Sequence, residues 1–184
     1  NDRYQYILPY YNFNKNIDLS SFVNGQINFS STGSNNLNNT NNLKTRVVND
    51  LEYRGNEIIS NQGFVSKFNI YLKNLCTLGK NDYSYKSSPQ IELMNMYEIT
   101  SEFPLSKITS NFNNTIIPKV SFKFNPSDMK DYSSTSRNIT VDNIFSTNRL
   151  GLTDSYEKGR SLTVGVDYRK ESLENINRYF EFKL

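Results

Sequence analysis

Between Leu43 and Tyr53 the chain alternates in character at every residue. Leu43, Thr45, Val47, Asn49, Leu51 and Tyr53 fall on one side of an extended backbone, and Lys44, Arg46, Val48, Asp50 and Glu52 fall on the other. A period of two is the mark of a pleated strand, because successive side chains point to opposite faces. The pattern recurs along the chain. Ile7, Pro9, Tyr11 and Phe13 share a face within Tyr4 to Phe13, and Val23, Gly25, Ile27 and Phe29 share one in the next run. Phe64, Phe68, Ile70 and Leu72 oppose Val65, Lys67, Asn69, Tyr71 and Lys73, and Ile91, Leu93, Tyr97 and Ile99 oppose Glu92, Met94, Met96 and Glu98. Ile116, Val120, Phe122 and Phe124 oppose Thr115, Lys119, Ser121 and Lys123. Leu162, Val164, Val166 and Tyr168 oppose Thr163, Gly165 and Asp167, and a last run extends from Ile176 to Leu184. Pro9 has no backbone donor, which predicts a strand end, an edge or a bulge there. The expected class is all-β, an antiparallel up-and-down meander of about eight strands.

The connections carry a second constraint. Asn14–Asp18, Arg54–Gly63, Phe103–Asn114 and Arg169–Asn175 are short, whereas Ser30–Asn42, Thr77–Ser88 and Asn125–Ser161 are long. Ser30–Asn42 is a run of Ser, Thr, Gly and Asn with almost nothing to bury, which predicts a solvated loop. Short and long connections alternate, so in a meander the long ones gather at one rim. Short turns at one rim and long loops at the other, joined by strands of roughly 9 to 11 residues, are the pattern of an outer-membrane β-barrel. The expected domain, residues 1–184, is therefore a partial barrel.

Composition removes several functions. Histidine is absent, which rules out Ser-His-Asp and Cys-His catalysis and histidine-ligated metals in their usual forms. Cys76 is the one cysteine, so no internal disulfide forms. The net charge of +3 is spread thinly along the chain, without the basic stripe that marks a nucleic-acid partner. Carboxylate pairs such as Glu92 with Glu98, or Asp154 with Glu157, meet the bare residue requirement of a glycosidase. Charged side chains on a strand's polar face are ordinarily solvated or ion-paired instead. The reading is non-catalytic, with no cofactor and no metal.

The stretch from Asp142 to Tyr168 begins as a polar, charged loop and ends in the alternating strand Leu162–Tyr168. Its Asn143, Phe145, Asn148, Arg149, Gly151, Asp154, Glu157, Gly159, Arg160 and Gly165 resemble, in type and spacing, a barrel segment of the lipopolysaccharide-assembly outer-membrane protein family, LptD, also called organic solvent tolerance protein. Ile7–Asn16 and Phe103–Leu105 are similar to other strands of that family. Ser155 departs from the pattern, since an arginine usually follows the aspartate.

The resemblance implies an internal piece of a larger barrel in the cell outer membrane, with an N-terminal periplasmic domain and further strands outside it. It implies a translocon that takes lipopolysaccharide from a periplasmic bridge protein, holds an LptE-like plug lipoprotein, and inserts its cargo into the outer leaflet. Membrane lipid would meet the apolar face, and the Lys, Arg and Glu face would line the lumen. Arg149, Asp154, Glu157 and Arg160 are expected to fold the long loop through charge-assisted hydrogen bonds. A porin or receptor barrel shares the loop pattern without the motif. A soluble carbohydrate-binding β-module is the remaining alternative, on the strength of the many tyrosines.

Overall fold

A computed structural model describes residues 5–18, 24–39, 41–129, 136–175 and 177–184. Ten strands form one antiparallel sheet: β1 (Gln5–Asp18), β2 (Gly25–Asn38), β3 (Asn42–Gly55), β4 (Ile58–Ile59), β5 (Val65–Lys80), β6 (Gln90–Glu102), β7 (Leu105–Ile108), β8 (Phe112–Asn125), β9 (Gly159–Ser172) and β10 (Tyr179–Lys183). Their spatial order is β1-β2-β3-β5-β6-β8-β9-β10, with β4 folded back on β5 and β7 on β8. Every pairing is between chain neighbours along this path, so the meander is as expected. The sheet is open, with β1 at one edge and β10 at the other. Pro9 lies on the β1 edge, where the register shifts between Ile7 and Tyr10. Tyr4, Val23 and Ile176, assigned to strands above, lie outside the described residues, as does part of the long connection at 130–135.

Several sequence expectations are corrected, among them Thr77–Lys80, Phe112–Asn114 and Arg169–Ser172, which are placed in connections above and lie in β5, β8 and β9. Ser30–Asn42 is not a loop. β2 runs through Asn38, pairs with β3 residue by residue from Gly25–Gly55 to Asn38–Asn42, and reverses in a tight turn where Asn39 takes a positive φ of 50°. Asn14–Asp18 is likewise strand, paired with Gln26–Ser30. The seven longest strands span 13 to 16 residues, rather than 9 to 11. One rim therefore mixes a tight turn at residues 39–41, a medium connection at 81–89 and a long excursion at 126–158. The clean alternation of short and long is lost.

The two faces of the sheet differ in exposure. Apolar side chains on one face stand open: Leu93 is 77% exposed and Val164 73%, and Leu72, Ile91, Ile99, Phe122, Leu162 and Phe182 join them. The opposite face carries Lys73, Glu98, Ser121, Lys123 and Thr163, all buried. What buries them is the stretch 145–157 of the connection between β8 and β9, which packs across β3, β5, β6 and β8. The small apolar core lies under this cover, where Val48, Leu75 and Met94 meet Tyr156 and Leu75 is wholly enclosed. Among the described residues no helix is long and apolar enough to cross a membrane, a fact that does not bear on strands.

Candidate functional site

The polar face and its covering loop form the only region where ionisable side chains are concentrated out of solvent among the described residues. Two ion clusters sit on adjacent strands. On β3 and β5, which pair Asp50 with Lys73, the Lys73 ammonium donates to Asp50 Oδ1 at 2.6 Å. It also reaches the loop carbonyl of Thr153 at 3.4 Å and lies 5.1 Å from the centre of the Tyr156 ring. Tyr156 donates to the same Asp50 oxygen at 3.5 Å. Burial, helped by the Asp50 charge, pushes the Tyr156 hydroxyl above its usual range.

The second cluster is centred on Glu98, only 2% exposed. Its Oε2 accepts from Asn69 Nδ2 at 3.1 Å, Tyr71 Oη at 3.0 Å and Thr147 Oγ1 at 3.1 Å. Lys123, register partner of Glu98 across β6 and β8, brings its Nζ to 3.5 Å from Oε1 and donates to the loop carbonyl of Ser146. Burying a charge is costly unless it is paired and hydrogen-bonded, and the loop supplies part of that compensation to both clusters. Loop and strands are thus held to one another by groups that neither could bury alone.

The ten motif residues divide between these tasks. Asn143 accepts from the Thr140 amide at 2.8 Å and donates to the Asn138 carbonyl at 3.0 Å. Asn148 closes a similar local ring, accepting from Leu152 N at 2.8 Å and donating to Leu152 O at 2.7 Å. Gly151 and Gly159 take φ of 63° and 99°, values a side chain rarely tolerates. Arg149 grips Glu157 with both Nε (2.7 Å) and Nη2 (2.5 Å), and this bidentate hydrogen bonding raises the guanidinium pKa further. Phe145 lies over β9 at Gly165, where an added Cβ would sit 2.8 Å from the ring and 2.6 Å from the Leu184 carbonyl oxygen. Lys119 completes that corner, 4.4 Å from the Phe145 ring centre and 2.6 Å from Asp167 Oδ2.

Arg160 stands apart from the Arg149–Glu157 pair. It sits 5.4 Å from the centre of the Phe124 ring, its register partner on the open apolar face. Asp154 lies close enough to Tyr85 that its charge adds to the burial that pushes that hydroxyl up, which brings the excursions at 81–89 and 126–158 near one another. Ser155, the departure from the family pattern, is 1% exposed and donates to the Tyr156 carbonyl at 3.2 Å. The site is closed around a small side chain.

Comparison with protein-family models, with curated proteins and with solved structures finds no match to this chain. The functional reading therefore rests on the residues themselves. A glycosidase arrangement is not met by Glu92 and Glu98. They are six residues apart along one strand, which separates them by roughly 20 Å, whereas paired catalytic acids stand about 5 to 9.5 Å apart. Among the described residues no group of three or more His, Cys, Asp or Glu side chains is gathered to hold a metal ion.

Arg149→Ala is expected to free the Glu157 carboxylate and loosen residues 149–157, costing about 1 to 3 kcal/mol for the lost charge-assisted hydrogen bonds. Limited proteolysis within the loop, with the sheet left folded, is the check. Cleavage at the wild-type rate would show that the pair does not hold the loop.

Proposed function

We propose that this chain is an arc of a large transmembrane β-barrel in the cell outer membrane, and that the barrel inserts lipopolysaccharide into the outer leaflet without catalysis. The observation that carries the membrane reading is the inverted sheet. A soluble protein leaves few large apolar patches uncovered, yet here the open face carries Leu93, Ile91, Val164 and Leu162 while lysines and a glutamate lie beneath a loop. A barrel wall distributes its side chains in this way, with apolar groups toward lipid and polar groups toward the lumen.

The polar exceptions on the apolar face support the same reading. Ser31 Oγ donates to Asn49 Oδ1 at 2.6 Å, and Asn49 Nδ2 donates to Asn74 Oδ1 at 3.0 Å. A polar group facing hydrocarbon must find a partner within the protein, and these three serve one another across β2, β3 and β5. The specific cargo is suggested by the motif from Asn143 to Gly165, with lipopolysaccharide, an LptE-like plug lipoprotein and a periplasmic bridge protein as the partners of the full assembly. A polar, loop-lined interior suits passage of a charged saccharide while acyl chains remain in lipid.

Spin labels test the orientation. In a Cys76→Ser background, labels at Leu93→Cys and Val164→Cys are expected to be quenched by a lipid-soluble reagent and shielded from a water-soluble one. The reverse pattern would place this face in water and end the membrane reading. For the cargo, depletion of the full protein should lower lipopolysaccharide at the cell surface while other outer-membrane barrels persist. Unchanged surface lipopolysaccharide would transfer the fold to a porin or receptor role.

A further inference from the structure

We propose that a groove on the apolar face, crossing β2, β3, β5 and β6, holds an acyl chain of a membrane phospholipid and hydrogen-bonds its ester carbonyl. The inference rests on the membrane reading for the supply of lipid, and on the groove's own groups for the choice of ligand. The groove has a volume of about 390 Å³, within the range of small-molecule sites, and is lined by Phe29, Leu51, Leu72, Asn49, Asn74 and Leu93. These residues form two rows that run from strand to strand. Phe29, Leu51 and Leu72 are register partners in turn, and so are Asn49, Asn74 and Leu93. One row is apolar, and the other is polar until Leu93 ends it.

Asn74 decides what the groove can recognise. Its Oδ1 accepts from Asn49 Nδ2 at 3.0 Å and from the Cys76 thiol at 3.4 Å. Its Nδ2 donates to no described residue, and the protein does not enclose it. The other amides of the groove are engaged. Asn49 accepts from Ser31 and donates to Asn74, while Asn95 accepts from Ser127 Oγ at 2.9 Å and donates to Tyr97 Oη at 3.4 Å. In hydrocarbon no water offers the Asn74 amide an acceptor, and an unmet N–H is costly there. A ligand that places an acceptor beside Asn74 removes that cost.

Charge decides what kind of acceptor it is. Among the described residues that line the groove only Lys73 is charged, and its ammonium lies on the polar face, paired with Asp50 at 2.6 Å. A phosphate or carboxylate would therefore enter an apolar groove with no cation to meet it, and burying an unpaired charge is costly. A neutral carbonyl accepts the N–H without that penalty. The chain attached to it covers Phe29, Leu51 and Leu72, and an acyl ester combines the two parts.

The test titrates the full chain in dodecylphosphocholine micelles with dimyristoyl phosphatidylcholine, a diester, and with its diether analogue, which lacks the carbonyls. NMR follows the side-chain amide of Asn74 and the methyl groups of Leu72. The diester is expected to shift both, with half-saturation at a lipid mole fraction about fivefold lower than for the diether. Asn74→Leu should abolish that preference. Leu93→Ala, at a position 77% exposed, should weaken both lipids about twofold and leave the preference intact. The ester-to-ether ratio of the unaltered chain needs no variant, so a misfolded Asn74→Leu does not blunt the test. Equal half-saturation by the two lipids, or a preference retained in Asn74→Leu, overturns the proposal. So does displacement of the diester by myristate, which would make this a carboxylate site. Cross-linking between copies through Leu93→Cys in the Cys76→Ser background, undiminished by diester, would give the groove to a second copy and overturn it too. Val164 lies outside the groove, so its spin label reports the membrane orientation separately. Water exposure there, with the ester preference intact, would end the membrane reading and leave the groove a lipid site.

Discussion

Glu98→Ala is expected to destabilise the docked loop by about 3 to 5 kcal/mol, the usual cost of removing one partner from a buried ion pair. The carboxylate receives three hydrogen bonds, from two strand side chains and from Thr147 of the loop. Without it the Lys123 ammonium, 7% exposed, keeps only the Ser146 carbonyl as a described partner. The substitution therefore leaves a buried cation and orphans a phenol, an amide and a hydroxyl together. Limited proteolysis at residues 136–158 should accelerate sharply, and the urea midpoint of the loop's unfolding should fall. Glu98→Gln keeps one acceptor oxygen for the three donors but turns an amide NH2 toward the Lys123 ammonium, so it is expected to lie between wild type and Ala. Wild-type proteolysis of Glu98→Ala would mean that the loop is held by the Arg149 and Tyr156 contacts alone.

Ser155→Arg is expected to expel residues 150–158 from the polar face. Ser155 is closed in on all sides at 1% exposure, beside Tyr156, whose ring packs on the Val48, Leu75 and Met94 cluster. Overpacking of this kind costs about 1 to 3 kcal/mol, and an unpaired guanidinium adds several more. Loss of the Tyr156 contact would also uncover Lys73 and Asp50. Faster cleavage between Leu150 and Lys158, with the strands intact, is the expected result. If the arginine is accommodated without added cleavage, the tight fit around Ser155 is not what fixes the loop.

Much of the sheet was legible because its strands keep two unlike faces. Leu43–Tyr53 and Phe64–Leu75 alternate cleanly, and both proved to be strand except for Phe64. Ser30–Asn38 was not legible, for a physical reason. Ser30, Thr32, Ser34 and Asn36 belong to the polar face, and at this height the other face also carries polar or small groups, Ser31, Gly33 and Asn35. With both faces polar, the period-two signal vanishes. The segment is a strand because β1 and β3 offer a continuous ladder of backbone partners on either side, and pairing of that kind leaves no mark in hydrophobicity.

The loop motif shows the same division. The four charges of the motif announced a loop held by charge-assisted hydrogen bonds, without saying which would pair, and Arg149 with Glu157 is one such pair. The strand residues that anchor the loop, Asp50, Lys73, Glu98 and Lys123, read in sequence as ordinary members of a wetted face. Their burial depends on a segment far along the chain folding back over them, which no local pattern encodes. Arg160 shows the limit in the other direction, since one step of alternation carries it through the sheet to Phe124.

The excursion at 126–158 also has a bearing on how the chain reaches its final form. Most pairings join strands separated by a brief reversal and can zip up one hairpin after another, whereas β8 and β9 must wait for the whole excursion to close. Closing it costs about 2 kcal/mol more entropy than closing the turn at residues 39–41. Contacts distant in sequence set the pace of folding, so the junction of β9 with β8 is the slow step of assembly. The ion clusters beneath the excursion act as the clasp that makes this late closure hold.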